Sequence, residues 1–172
     1  MLLSICSLLF ASQLTQADDI GLLDQHGNFH QISRYSNDNL VMIMPVSMNE
    51  PNSLANAHAM QTLAEEMTDQ GIVALFLESD ASALEDPETR SQTIADWAST
   101  EGLTLPVLID GSQTAAATLE VTALGEVIGM DPEGLSAYFR GEWDETAVRT
   151  AIGDILAGRP VRPTFAEPAG PA

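Results

Sequence analysis

The sequence contains no lysine, and its six basic residues are all arginine, set against 25 aspartates and glutamates in 172 residues for a net charge of −19. Without lysine there is no Schiff-base nucleophile and no phosphate-gripping P-loop. So few cations form no basic stripe for phosphate backbones or anionic lipid, which excludes nucleic acid as a partner. Cysteine occurs once, as Cys6, so an intrachain disulfide and a cysteine-based zinc site are excluded as well. Charged residues are scarce at 18% against 45% hydrophobic, too apolar for a disordered chain, and the length suits one domain with a real core.

The first 17 residues, MLLSICSLLFASQLTQA, carry no charge and close on small and polar residues before Asp18-Asp19. The apolar run from Leu2 to Ala11 is too short to cross a bilayer core of ~30 Å as a helix, so the segment 1–17 reads as a secretory leader cleaved after Ala17. No Lys or Arg precedes that run. Cys6 does not suit a lipid anchor, because Ile5 fills the position before it where a small residue is required. The expected organisation is a leader over 1–17, one domain over 18–157 and a Pro-rich tail over 158–172, with the protein periplasmic or secreted and no membrane contact beyond the leader. The tail holds Pro160, Pro163, Pro168 and Pro171, which rule out helix and predict an extended segment lying on the domain or in solvent.

Within the domain, Ile20 to Ile32 predicts a hairpin about Gly27-Asn28. Leu40 to Val46 (LVMIMPV) and Ile72 to Leu77 are unbroken apolar runs of the kind covered on both faces of a sheet. Between them, Leu54, Ala57, Met60, Leu63, Ala64 and Met67 stand at helical spacing before Gly71. A second amphipathic helix is predicted from Pro87 to Glu101, with Trp97 on its apolar stripe, then a strand over Leu105–Ile109 and a helical run from Ser112 to Glu120. Glu126–Met130 and Leu135–Arg140 flank Asp131-Pro132-Glu133-Gly134 as a second hairpin, and Asp144 caps a last helix, Glu145 to Ala157. Trp143 is expected to close the sheet edge. Strands alternating with helices, followed by a hairpin, imply an α/β fold with a mixed central sheet.

This order resembles the thioredoxin fold in its redoxin, or peroxiredoxin-like, form, the alkyl hydroperoxide reductase and thiol-specific antioxidant family. The strings that carry the resemblance are Leu23-Asp24-Gln25-His26-Gly27, Leu105-Pro106-Val107-Leu108-Ile109-Asp110, Val121-Thr122 before Glu126-Val127, Asp131-Pro132-Glu133-Gly134 with Tyr138-Phe139-Arg140-Gly141, and the exit Leu156-Ala157-Gly158-Arg159-Pro160-Val161. The resemblance implies a three-layer fold with an N-terminal β-hairpin and a strand-helix insert, and an antioxidant or thiol oxidoreductase activity.

The departures from that family fall on its chemistry. Where the resemblance places a cysteine followed by proline, this chain has Glu50-Pro51-Asn52-Ser53. A carboxylate there forms neither disulfide nor sulfenic acid, whereas the family's cycle needs a thiolate. Leu124-Gly125 stands where the fold has a cis-proline, and Thr164 is followed by Gly170-Pro171 where relatives carry Gly-Cys. Glu50, Pro51, Asn52, Ser53 and Gly125 thus read as a degenerate active site without a catalytic residue or cofactor. Glu50 itself is expected to cap the helix start.

Other chemistry is thin. His26 and His30 flank the hairpin turn near Asp24 and are expected to be solvated, as is His58 beside Gln61 and Glu65. Met42, Met44, Met48, His58 and Met60 raise a copper-handling reading, thioether and imidazole being copper ligands, but only Met48 and His58 are expected outside the core. The leading expectation is an exported, non-redox binding or accessory module. Its contact residues would be Val46, Ser47, Met48, Asn49 and Leu124, and its partner another exported protein or an extended peptide. The alternatives are an oxidoreductase relying on partner thiols, or a copper-handling periplasmic protein.

Overall fold

The computed structural model describes residues 18–80 and 87–168, so the expected leader lies outside the described residues. The fold is α/β. A two-stranded hairpin, β1 (Gly21–Leu23) and β2 (Phe29–Gln31), precedes a five-stranded sheet of β3 (Leu40–Val46), β4 (Ile72–Glu78), β5 (Val107–Ile109), β6 (Glu126–Asp131) and β7 (Ser136–Glu142). The sheet order is β5-β4-β3-β6-β7, with β3, β4 and β5 parallel and β6 and β7 antiparallel additions.

The apolar run of β3 explains its central place, since all seven residues are buried. Its alternating side chains feed two separate cores. Leu40, Met42, Met44 and Val46 pack with residues of helices α1 (Leu54–Glu66), α2 (Pro87–Thr100) and α4 (Glu145–Leu156), among them Met60, Leu63, Ile94, Val148 and Ile152. Val41 and Ile43 face the other way, onto Ile20, Ile32 and Leu119 beside helix α3 (Thr114–Thr118). Each fully buried aliphatic side chain contributes about 2 kcal/mol by leaving water.

Of the elements that start or stop away from the sequence expectation, three have a plain local cause. The third parallel strand begins at Val107, just after Pro106, which has no N–H to give a ladder. Helix α3 is shorter than predicted because Gln113 (φ 57°) and Glu120 (φ 52°) adopt left-handed backbone on either side of it. Leu135 (φ 50°) belongs to the turn, so β7 starts at Ser136. The expected cap of α4 is present, with Asp144 Oδ1 accepting from the Ala147 amide at 3.0 Å.

The tail lies on the domain through its described residues. Asp154, fully buried on α4, accepts from Arg159 Nη2 at 2.9 Å and from Arg162 Nη2 at 2.7 Å. Further on, Phe165 stacks on Phe139 with ring centroids 4.8 Å apart, and the Glu142 amide donates to Ala166 O at 2.9 Å. Gly141 (φ 151°) allows this approach, since a Cβ there would stand 2.5 Å from Ala166 O. Trp143 and Trp97 are both half-buried against the larger core.

Candidate functional site

The loop leaving β3 and entering α1 is built by hydrogen bonds that turn its first residues inward. Val46 and Ser47 are buried, so of the expected contact residues these two form the floor. Ser47 Oγ donates to Asp80 Oδ2 at 3.2 Å and accepts from the Asn49 amide at 3.1 Å, while Asn49 Nδ2 reaches the same Asp80 oxygen at 2.9 Å. Met48 is half-buried against the core, because its thioether finds apolar neighbours there, and is not free in the loop as the sequence suggests.

Glu50, Pro51 and Asn52 are exposed. A short 3₁₀ turn, Pro51–Ser53, leads into α1, and its cap differs from expectation. The Glu50 side chain makes no cap bond; its carbonyl accepts from the Ser53 amide and from Ser53 Oγ at 3.1 Å. The carboxylate is thereby left facing outward. Ser53 is buried and its hydroxyl engaged, unlike a group held ready for chemistry.

Gly125 lies across this turn. With φ 74° it donates its amide to Pro45 O at 2.8 Å and accepts from Asn56 Nδ2 at 3.1 Å, so both its backbone groups are used within the protein. The preceding residues are clamped by Glu126, whose Oε1 accepts from the Thr122 amide at 2.7 Å and whose Oε2 accepts from Thr122 Oγ1 at 3.1 Å. The result presents Leu124, 37% exposed, beside the turn. The structure therefore brings the predicted loop and the predicted Leu124-Gly125 segment together.

Buried acids support this face, and sequence reasoning overlooked them. Glu78 ends β4 in register with Val46 on one side and Ile109 on the other, and is 2% exposed. Burial, with Asp80 and Asp110 near by, outweighs the Asp80 amide and Arg90 and pushes its carboxyl up to about 7. Asp110 is fully buried; Oδ2 accepts from the Ala116 amide at 2.7 Å, and Oδ1 has no hydrogen-bond partner among the described residues. The signal available in the sequence was an acid at the boundary of four apolar runs, Asp24, Glu78, Asp110 and Glu126.

Elsewhere, His30 Nε2 meets Asp24 Oδ2 at 3.0 Å and its Nδ1 lies 2.5 Å from Tyr35 Oη, so His30 is half-buried in the hairpin, against the expectation of a solvated ring. Burial raises the Asp24 carboxyl, but hydrogen bonds from Asn28 and His30 and from the Asn28 and His26 amides outweigh it and leave the pKa at about 2. His26 and His58 are exposed. Among the described residues no group of three His, Cys, Asp or Glu is placed to hold a metal ion, and no helix is long and apolar enough to cross a membrane.

A model of the AhpC/TSA family matches residues 14–136. The chain belongs to that family, whose sheet and hairpin it carries. A hypothetical protein from Sinorhizobium meliloti 1021 is similar in structure, at TM-score 0.77 and 21% identity over 91% of this chain and 90% of the other. The pneumococcal exposed lipoprotein thioredoxin from Streptococcus pneumoniae TIGR4 is similar at TM-score 0.67 and 20% identity, covering 80% of this chain and 99% of that one. The peroxidoxin BcpB from Mycobacterium tuberculosis is similar at TM-score 0.62 and 20% identity, covering 87% and 97%. At these identities the likeness establishes the thioredoxin-like fold. No curated protein matches the chain.

Proposed function

We infer that this chain is an exported redoxin-family protein that has left thiol chemistry and uses the former active-site face as a docking surface for an extended segment of another exported protein. The observation that carries the reading is the state of the Glu50 turn. Its backbone cap is intact and its position is fixed, yet it presents a carboxylate and a proline where a thiolate would be stabilised, and Cys6 is the sole cysteine of the sequence. The family's peroxide or disulfide reduction needs a cysteine thiolate that gives two electrons to the substrate and is then reduced again. Between residues 18 and 172 there is no cysteine.

The exposed strip Asn49–Asn52 and the neighbouring Leu124 offer polar, acidic and apolar contacts to a chain crossing the turn. Gly125 adds no backbone pairing, because its amide and carbonyl are committed to Pro45 and Asn56. Recognition is therefore by side chains. Export rests on the uncharged leader over 1–17.

The test has two arms. Purified protein is assayed for thiol-dependent peroxide and disulfide turnover, where robust activity overturns the reading. Crosslinking in periplasmic extract then compares wild type with Glu50→Arg and Leu124→Asp; a partner captured by wild type, lost in both variants and reproduced with purified components supports the docking face, and unchanged capture refutes it.

A further inference from the structure

The loop that forms the candidate face is tied to the sheet through two carboxylates in series. Asp80 holds Ser47 and Asn49, and the Asp80 amide in turn donates to the carboxyl of Glu78. Glu78 has no water-facing escape, being 2% exposed between Val46 and Ile109. Among the described residues the charged groups facing it are Asp80 beyond its own strand, Asp110 beyond β5 and Arg90 from α2. The end of β3 contributes only the uncharged Val46 and Ser47. Arg90 packs closely at this point, since a Cβ on Gly111 would stand 1.8 Å from its Nη1. Asp110 Oδ1 is a buried acceptor with no donor among the described residues.

We propose that a proton on Glu78 sets the position of the loop 47–53, with Asp80 as the link, so that the docking face responds to pH. When Glu78 is protonated, Asp80 and Asp110 share the field of Arg90 and the Ser47 and Asn49 bonds hold. When the carboxyl releases its proton to solvent, three carboxylates crowd one guanidinium in a site of low dielectric. Asp80 is the member that can yield, being partly exposed. Its movement loosens Ser47 and Asn49 together. The titration falls near neutral pH, because burial and the neighbouring acids raise the Glu78 carboxyl to about 7.

The loop response stands on its own, and only its consequence for docking rests on the function proposed above. The test follows the Glu78 carboxyl carbon and the Ser47 and Asn49 amides of the full chain by NMR from pH 5 to 9. The expected result is one shared midpoint near 7 in wild type. In Glu78→Gln the amides should hold their acid-side positions throughout. In Asp80→Asn the Glu78 midpoint should fall, since a repulsive charge is gone. Flat loop amides in wild type, a midpoint unlike that of Glu78, or an unchanged titration in Glu78→Gln overturns the proposal; the first two readings need no variant to fold. A titrating loop with no partner captured at either pH would retain the switch and reject the docking function.

Discussion

Arg162 holds Asp154 with side chain and backbone at once. Its Nη2 lies 2.7 Å from Oδ1, its Nε 2.9 Å from Oδ2, and its own amide 3.2 Å from Oδ2. Arg162 therefore fixes both the charge and the path of the chain, and Arg159 Nη2 adds a bond to the same Oδ1 at 2.9 Å. The Arg162 contacts, opposed by burial and assisted by Arg159, hold the Asp154 carboxyl at about 2.

A carboxyl depressed in this way stabilises the fold above its unfolded pKa of roughly 4, and the contribution disappears as pH falls through about 2. Asp154→Asn is expected to flatten that part of the acid-unfolding profile. It should also speed hydrogen exchange at the Glu142 amide, which donates to the tail at Ala166. An amide as protected as in wild type would count against the clasp.

Phe165→Ala is expected to cost about 2 kcal/mol in urea unfolding, since it removes a half-buried ring and its stack on Phe139. Gly141→Ala should have a similar effect by forcing the tail off the strand. A double variant that loses no more than either single change would show that both act through one contact.

For Glu78 the sign is reversed. Its folded pKa is raised to about 7, so the folded state holds a proton that the unfolded chain has released, and stability is complete below about 4.5 and lost as pH rises through 7. Glu78→Gln should therefore be more stable than wild type at pH 8, by on the order of 2 kcal/mol after allowance for solvent screening. The advantage should vanish at pH 4.5. Thermal unfolding at the two pH values measures it.

Gly125→Ala places a Cβ 3.1 Å from Asn56 Nδ2 on backbone of φ 74°. The expected cost is about 1 to 2 kcal/mol. Asn56→Ala should cost less and leave the Gly125 amide bond to Pro45 intact, which amide exchange at Gly125 will report.

The sheet was legible because its signals are local. LVMIMPV and IVALFL admit few alternatives to buried strands, and Asp144 before a helical stripe is an N-cap with a mechanism. The position of the candidate site was legible through Glu50-Pro51 and Leu124-Gly125. What the side chains do there was not. Ser47 and Glu50 stand three residues apart in one polar loop, yet one is buried on Asp80 and the other exposed, a choice made by a residue more than thirty positions away. Asp154 looks like any polar face of an amphipathic helix until Arg159 and Arg162 fold back onto it. Composition counts charges and does not say which of them are covered.

The hairpin and the tail have a common effect on the sheet as an object other molecules meet. Gln25 pairs with Val107, through its amide to Val107 O at 3.1 Å and its Oε1 to Val107 N at 2.7 Å, and Asp24 bridges to Leu108, so one border strand is sheathed. Ala166 engages the end of the opposite border strand. Exposed strand edges template pairing between molecules, and here the chain's own ends blunt them. Self-association by strand addition is thereby discouraged at high concentration where these contacts cover the two borders.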